Sequence, residues 1–177
     1  MVEQLVERIR RKDQRAMSQL YQMYVDELSS VCYRYVPSED DAKDVLQNSF
    51  VKIFTSMDTF KYCDEKSFMG WMIRIVTNEA LQFLKDSKKL QFVDIHEDTV
   101  DVEEEPETDG ITADELHQLI CELPDGYRTV VNLFVFEDYT HQEIADILGI
   151  ERNSSASQLY YAKRLLAKRI KELTNKR

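Results

Sequence analysis

The sequence is short of the residues that break helices and of those that cross-link chains. Its 177 residues include 4 glycines and 3 prolines. So few breakers leave little room for the many turns of an all-β fold and favour long helices. Cysteine is as scarce. Cys32, Cys63 and Cys121 are widely spaced, odd in number and form no C-x-x-C pair, which argues against a disulfide framework or a zinc site. His96, His117 and His141 are isolated, with no partner at metal-ligand spacing. There is no glycine-rich phosphate loop. No apolar run is long enough to cross a bilayer, and "MVEQLVERIRRKD" lacks a signal-peptide core. The expectation is a cytoplasmic protein that is not membrane-inserted and has no cofactor, no metal and no small-molecule substrate.

What is present is charge, distributed unevenly. The formal net charge is −10. Residues 1–90 hold 14 Lys and Arg against 14 Asp and Glu, residues 91–122 hold 12 acids and no Lys or Arg, and residues 123–177 hold 9 bases against 7 acids. All of the excess acid lies in one middle segment, and the chain after Ala162 is basic. Local patches, not the total, decide whether a surface can meet phosphate. The carboxylates crowd into a segment with no pocket to perturb them, and the serines of "NSSAS" suit cap and groove roles better than nucleophilic catalysis. No catalytic set emerges, so an enzyme is not expected.

Apolar spacing divides the chain. Asp13 can cap a helix carrying Met17, Leu20, Tyr21, Tyr24, Leu28, Val31, Cys32 and Tyr35, which Pro37 interrupts. Ser38, with Asp41 three residues on, resembles a capping box for a second helix. Its apolar face is Ala42, Val45, Leu46, Ser49, Phe50, Ile53 and Phe54, and its other face Asp44, Gln47, Asn48 and Val51. After the polar loop "KYCDEKS" comes a helix with a core stripe of Phe68, Met72, Ile75, Val76, Ala80, Phe83 and Leu84. A second stripe runs Trp71, Arg74, Asn78, Gln82, Lys85. Residues 91–113 read as a linker whose like charges keep it extended when free. Beyond it, Leu116, Leu119, Ile120 and Leu123 mark a short helix ending before Pro124, and "DGYRTVVNLFVFEDY" holds another. Thr140 and Glu143 form a capping box for "HQEIADIL", Gly149 supplies a turn, and Asn153 or Ser154 caps the last helix. Its inner face is Leu159, Ala162, Leu166, Ile170 and Leu173.

Two faces carry candidate chemistry. The helix, glycine turn and helix match a helix-turn-helix. In that reading Ser154, Ser157, Gln158 and Tyr161 lie opposite the buried face and meet base edges, while Lys163, Arg164, Lys168 and Arg169 hold phosphates. A plain helical hairpin with a basic end fits the same spacing. The Trp71 stripe suits single-stranded nucleic acid, since aromatic rings stack on unpaired bases and cations follow the backbone. Taken alone, a half-buried Trp71 beside a solvated face is the plainer reading, because Trp is usually largely buried.

Three segments resemble an extracytoplasmic-function sigma factor, the small promoter-recognition subunit of bacterial RNA polymerase. "AKDVLQNSFVKIF" is similar to that family's A-E-D-x-x-Q-E-x-F helix, and "FMGWMIRIVTNEALQFLK" to its F-x-x-W-L-x-x-I-x-x-N helix. "LPDGYRTVVNLFVFEDYTHQEIADILGI" resembles its L-P-x-x-x-R … S-x-x-E-I-A-x-x-L-G-I segment. The resemblance implies an all-α chain of two small helical domains. Residues 1–90 would be region 2, 91–113 an acidic linker and 114–177 region 4, the helix-turn-helix. It further implies that Asp44, Gln47, Asn48 and Val51 face the clamp helices of the largest polymerase subunit, with the flap region as a second contact. Lys61, Tyr62, Lys66, Trp71, Arg74, Asn78, Gln82 and Lys85 would open and hold the −10 element. Asn153, Ser154, Ser155, Ser157, Gln158, Tyr161, Lys163 and Arg164 would read the −35 element. The linker would thread toward the active-site and RNA-exit channels, where acid can mimic RNA. Promoter DNA, core RNA polymerase and an anti-sigma factor are the implied partners. The chain departs from the family pattern at Lys43, Gln82 and Lys85, and in Asn153–Gln158, which lacks the family's usual cations. Two other classes share these features: a sigma mimic that sequesters an anti-sigma factor, and a stand-alone helix-turn-helix regulator.

Overall fold

A computed structural model describes residues 1–92 and 108–176. The described residues are helical, without strands, and fall into two compact units, Met1–Ser87 and Lys88–Arg177. The expected extended acidic linker falls largely on residues 93–107, outside the described residues.

The first unit holds α1 (Val2–Arg10), α2 (Gln14–Tyr35), α3 (Glu39–Thr55) and α4 (Glu65–Asp86). No element is expected before Asp13, yet α1 is there. Val2, Leu5, Val6 and Ile9 recur at helical spacing and all four are buried. The chain leaves α1 through Lys12, whose φ of 62° lies in the left-handed region, and the Lys12 amide donates to the Ile9 carbonyl at 2.8 Å. Asp13 then caps α2, its carboxylate accepting from the amides of Arg15 at 2.9 Å and Ala16 at 3.2 Å. These bonds and the neighbouring Arg8 hold the Asp13 carboxyl below its ordinary pKa. Ser38 accepts from the Asp41 amide at the start of α3, where Glu39, Asp40 and Asp41 complement the positive helix end. Asp64 opens α4 by accepting from the Ser67 amide at 2.7 Å. Leu20, Leu28, Ile53, Phe68, Met72 and Leu84 pack the interior with 1% exposure or less. Burying each stabilises the unit by roughly 1.5–3 kcal/mol.

The second unit holds α5 (Ala113–Cys121), α6 (Asp125–Val131), a π-helical segment (Asn132–Phe136), α7 (His141–Leu148) and α8 (Arg152–Thr174). Thr112 and Glu115 make a full capping box for α5, at the end of what the sequence presents as linker. The expected Thr140–Glu143 box caps α7. Gly149, at φ 68°, ends α7, and the Ile150 amide closes back on the Ala145 carbonyl at 3.1 Å. The capping expected of Asn153 or Ser154 does not occur. The chain enters α8 at Glu151, with no side-chain cap bond, so both residues lie inside the helix.

The stretch "DGYRTVVNLFVFEDY" is not one uniform helix. It widens to π geometry after Val131, with the Glu137 amide reaching the Asn132 carbonyl at 3.1 Å. Gly126, in the first turn of α6, has a different origin from the turn glycine. A Cβ there would stand 2.5 Å from the Gln91 carbonyl oxygen and 3.4 Å from Gln158 Oε1. Gly126 is thus required for close approach of backbone, not for a positive φ.

Candidate nucleic-acid interface

Two exposed helix faces, one in each unit, carry the candidate residues. On α3, Asp44, Gln47, Asn48 and Val51 are all exposed, Val51 at 57%. They stand opposite the buried Ala42, Val45, Ser49, Phe50 and Ile53, as helical spacing requires. Lys43 lies beside them and pairs with Glu39 one turn back at 2.6 Å, a pairing that raises the Lys43 pKa and lowers that of Glu39.

On α4, Arg74, Asn78, Gln82 and Lys85 are exposed along one side. The Gln82 amide donates to Asp86 at 2.8 Å. Trp71 heads this stripe and is half-buried. Its ring stacks on Phe60 at 4.6 Å between centroids with an interplanar angle of 27°, and on Phe68 at 5.8 Å and 22°. The Trp71 ring is thus seated on the core and still reaches the surface. In the loop before α4, Lys61 is exposed and Tyr62 is half-buried with its ring 6.0 Å from Phe68, while Lys66, also exposed, lies in the first turn of α4. Phe60 was not expected from the sequence; a hydrophobic residue ahead of a polar loop gives no sign of the ring it will meet.

On α8 the structure changes the set. Ser155 and Gln158 are 0% and 2% exposed, so neither lies opposite the buried face; both belong to it with Leu159, Ala162 and Leu166. Ser155 Oγ is 3.0 Å from Nδ1 of His141, the first residue of α7, and Gln158 packs toward Gly126 of α6. In this conformation neither side chain is presented at the surface, contrary to the expected placement of Gln158 opposite the buried face. Asn153, Ser157, Tyr160, Tyr161, Arg164 and Lys168 share the opposite face by helical spacing. Of the expected residues, Asn153 and Arg164 are exposed, and Ser154, Ser157, Tyr161 and Lys163 half-exposed.

Tyr160 was missed, although it is half-exposed on the same side. The Arg164 guanidinium carbon sits 5.7 Å from the Tyr160 ring centroid, and Tyr160 meets Tyr161 edge-on at 5.2 Å. Arg169 also leaves the expected set of phosphate contacts: it is turned to Glu122, 3.6 Å away. His141 stacks on Phe134 at 4.5 Å between ring centroids. Burial, with the charges of Arg152 and Lys163 nearby, lowers its pKa, so the imidazole joining α7 to α8 is neutral at physiological pH.

The geometry thus offers an aromatic and cationic face in one unit and a helix-turn-helix with an exposed polar second helix in the other. Together they describe a two-domain helical protein with one candidate nucleic-acid face in each domain, the arrangement of parts that the transcription-initiation class would need. Comparison with known proteins gives the same answer. Residues 20–90 match the sigma-70 region 2 family and residues 113–166 the sigma-70 region 4 family. RNA polymerase sigma factor SigV of Bacillus subtilis is 31% identical over 136 residues, covering 77% of this chain and 80% of that protein. The ECF RNA polymerase sigma factor SigW of the same organism is 23% identical over 98% of both chains. Among solved structures, the sigma factor RpoE of Bartonella quintana, in complex with the anti-sigma factor NepR, has a similar fold. Its TM-score is 0.51 at 20% identity, with 87% of this chain and 96% of that one covered. The chain belongs to the extracytoplasmic-function sigma factors of the sigma-70 family.

Proposed function

We propose that this chain binds core RNA polymerase and directs promoter-specific initiation, with a division of labour between its two units. The carrying observation is the order of parts in one chain: the Trp71–Lys85 face in a region 2 unit, then a capped helix-turn-helix in a region 4 unit. Asp44, Gln47, Asn48 and Val51 form the polymerase-facing surface of α3. Lys61 and Tyr62 of the loop, with Lys66, Trp71, Arg74, Asn78, Gln82 and Lys85 of α4, take the opened −10 strand. Stacking on an aromatic supplies about 1–3 kcal/mol per base and tolerates any base, while Asn78 and Gln82 add hydrogen bonds.

On α8, Asn153, Ser154, Ser157 and Tyr161, joined by Tyr160, meet the −35 duplex. Lys163 and Arg164 hold phosphates and set register. Ser155 and Gln158 shape the helix from within. The family consists of specificity subunits, so chemistry belongs to the polymerase and not to this chain. No helix among the described residues is long and apolar enough to cross a membrane, in keeping with work beside the polymerase in the cytoplasm. By family, an anti-sigma factor is its expected regulator.

Run-off transcription with core polymerase and a library of promoter templates tests this reading. Transcripts that depend on both the chain and a defined upstream and downstream element are expected. Good core binding without a transcript from any template would instead leave a sigma mimic.

A further inference from the structure

The segment between α3 and α4 has to be held without a helix or sheet of its own. Its backbone carbonyls need donors. One side chain of α1 supplies two of them. Arg10 Nε donates to the Met57 carbonyl at 3.3 Å, and Arg10 Nη2 donates to the Phe60 carbonyl. Its remaining nitrogen, Nη1, donates to Glu7 one turn earlier on α1, which fixes the direction of the fork. The Arg10 side chain is 27% exposed, so these are partly desolvated bonds and not a surface pairing. A planar fork can span two carbonyls at fixed geometry; a lysine ammonium is a point charge on a flexible stem. Met57 is itself buried, at 1% exposure, and anchors the near end of the segment.

The residue whose carbonyl Arg10 holds is the one whose ring stacks on Trp71. Phe60 also meets Phe68 at 5.4 Å, and Tyr62, two residues on, meets the same Phe68 ring. A continuous line therefore runs from Glu7 and Arg10 on α1, through the Phe60 backbone and ring, to the plane of Trp71. Lys61 and Tyr62 follow directly along the chain. Helix α1 lies outside the matched region 2 residues, 20–90.

We propose that Arg10 is a positioning residue for strand opening: by holding the Met57 and Phe60 carbonyls it sets the Phe60–Trp71 stack. It touches no base. This rests on the reading of Trp71 as a residue that receives the opened strand, and the test separates the two claims.

The measurement uses holoenzyme assembled from core polymerase and the full chain, on a promoter recovered from the template library. A 2-aminopurine in the −10 element reports opening, and competition at low temperature reports closed-complex affinity. Arg10→Met is expected to slow opening roughly tenfold, the scale of losing charged hydrogen bonds, with closed-complex affinity unchanged. Arg10→Lys should fall between Arg10→Met and the unaltered chain. Because Arg10 acts through the stack, Arg10→Met combined with Trp71→Ala should open no more slowly than Trp71→Ala alone. A merely structural role would make the two defects add.

Opening at the unaltered rate in Arg10→Met, or additive defects in the pair, would overturn the proposal. A Trp71→Ala holoenzyme that opens normally would instead sink the underlying reading of α4. Thermal melting of each free variant identifies any that misfolds. If Arg10→Met does, the same cycle run with Phe60→Leu, which leaves the Arg10 fork intact, decides the matter. Loss of opening that does not add to Trp71→Ala supports the proposal, and additivity rejects it.

Discussion

The interiors of the two units are built differently. In Met1–Ser87 the buried polar residues among those described are Ser49 and Thr77; in the second unit they are Arg128, Thr129, Asn132, Ser155 and Gln158. The first unit is held by apolar packing between long helices, which is tolerant of sequence and only loosely directional. The second has shorter helices α5, α6 and α7, and two of its buried polar residues, Arg128 and Ser155, make hydrogen bonds beyond their own helix turn. Arg128, 4% exposed, donates to the Leu123 carbonyl at 2.7 Å and the Cys121 carbonyl at 3.3 Å, and pairs with Asp125. It thereby ties the end of α5 to the start of α6. A unit that presents a duplex-reading helix needs a defined orientation, and buried polar contacts supply direction that apolar contacts do not.

The sharpest way to test this contrast is Arg128→Met. It keeps the apolar stem but strands two carbonyls and Asp125. We expect a loss of about 3 kcal/mol from the second unit, the usual scale for breaking a buried charged pair, with the first unit unchanged. Chemical denaturation followed by residue-resolved NMR checks both halves of that statement. Equal destabilisation of the two units would contradict the contrast.

Gly126→Ala comes next. Its Cβ would meet the Gln91 carbonyl oxygen at 2.5 Å, so either α6 or the backbone at residue 91 must shift. A cost of about 1–3 kcal/mol in the second unit is expected, with faster amide exchange at residues 89–92.

Gln158→Ala should cost a similar or smaller amount, about 1–2 kcal/mol, because it opens a small cavity beside Gly126. It should weaken transcription from all promoters evenly. A changed base preference at one position would mean that Gln158 leaves the interior when DNA binds.

Lys12→Gly acts on the other unit and in the other direction. Relief of the left-handed φ at residue 12 should stabilise the first unit by about 0.5–1 kcal/mol, read as a raised melting temperature.

The smallest effect is that of pH. The folded pKa of His141 lies below the unfolded value of about 6.5, so the unfolded chain takes up the proton more readily. Its contribution to stability is full above pH ~6.5 and is lost as pH falls through the lower folded value. The second unit should therefore weaken modestly on acidification, and His141→Gln should flatten that part of the profile. A loss that persists unchanged in His141→Gln would assign it to other groups.

The same contrast explains what was legible in the sequence. Where the interior is apolar, spacing finds most of it: the stripes of α2, α3 and α4 largely follow the expected residues, although Tyr21 of α2 is 44% exposed, and Asp13 and Thr140 cap as their types suggest. Helix α1 obeys the same rule, through Val2, Leu5, Val6 and Ile9 at helical spacing, although no element is expected there. Where the interior is polar, spacing misleads. Gln158 and Ser155 look like surface residues by type and are core by position. The π-helical widening at Asn132–Phe136 leaves no mark in a run of apolar residues. The stacking of Phe60 on Trp71 joins residues across a loop, which periodicity within one helix cannot express. The fold class and the order of the two units were thus readable; which side chains of α8 are buried and which exposed needed coordinates.

The division of labour between the two faces is the central claim, and promoter selection tests it most directly. Holoenzymes carrying Ser157→Ala, Tyr161→Ala or Asn78→Ala would each select templates from a pool randomised through both elements. The account predicts that the two α8 substitutions change preference only upstream, at the −35 element, by about 1–3 kcal/mol at individual positions. Asn78→Ala should change preference only downstream, at the −10 element. Preferences that shift in the wrong element, or in both alike, would contradict it.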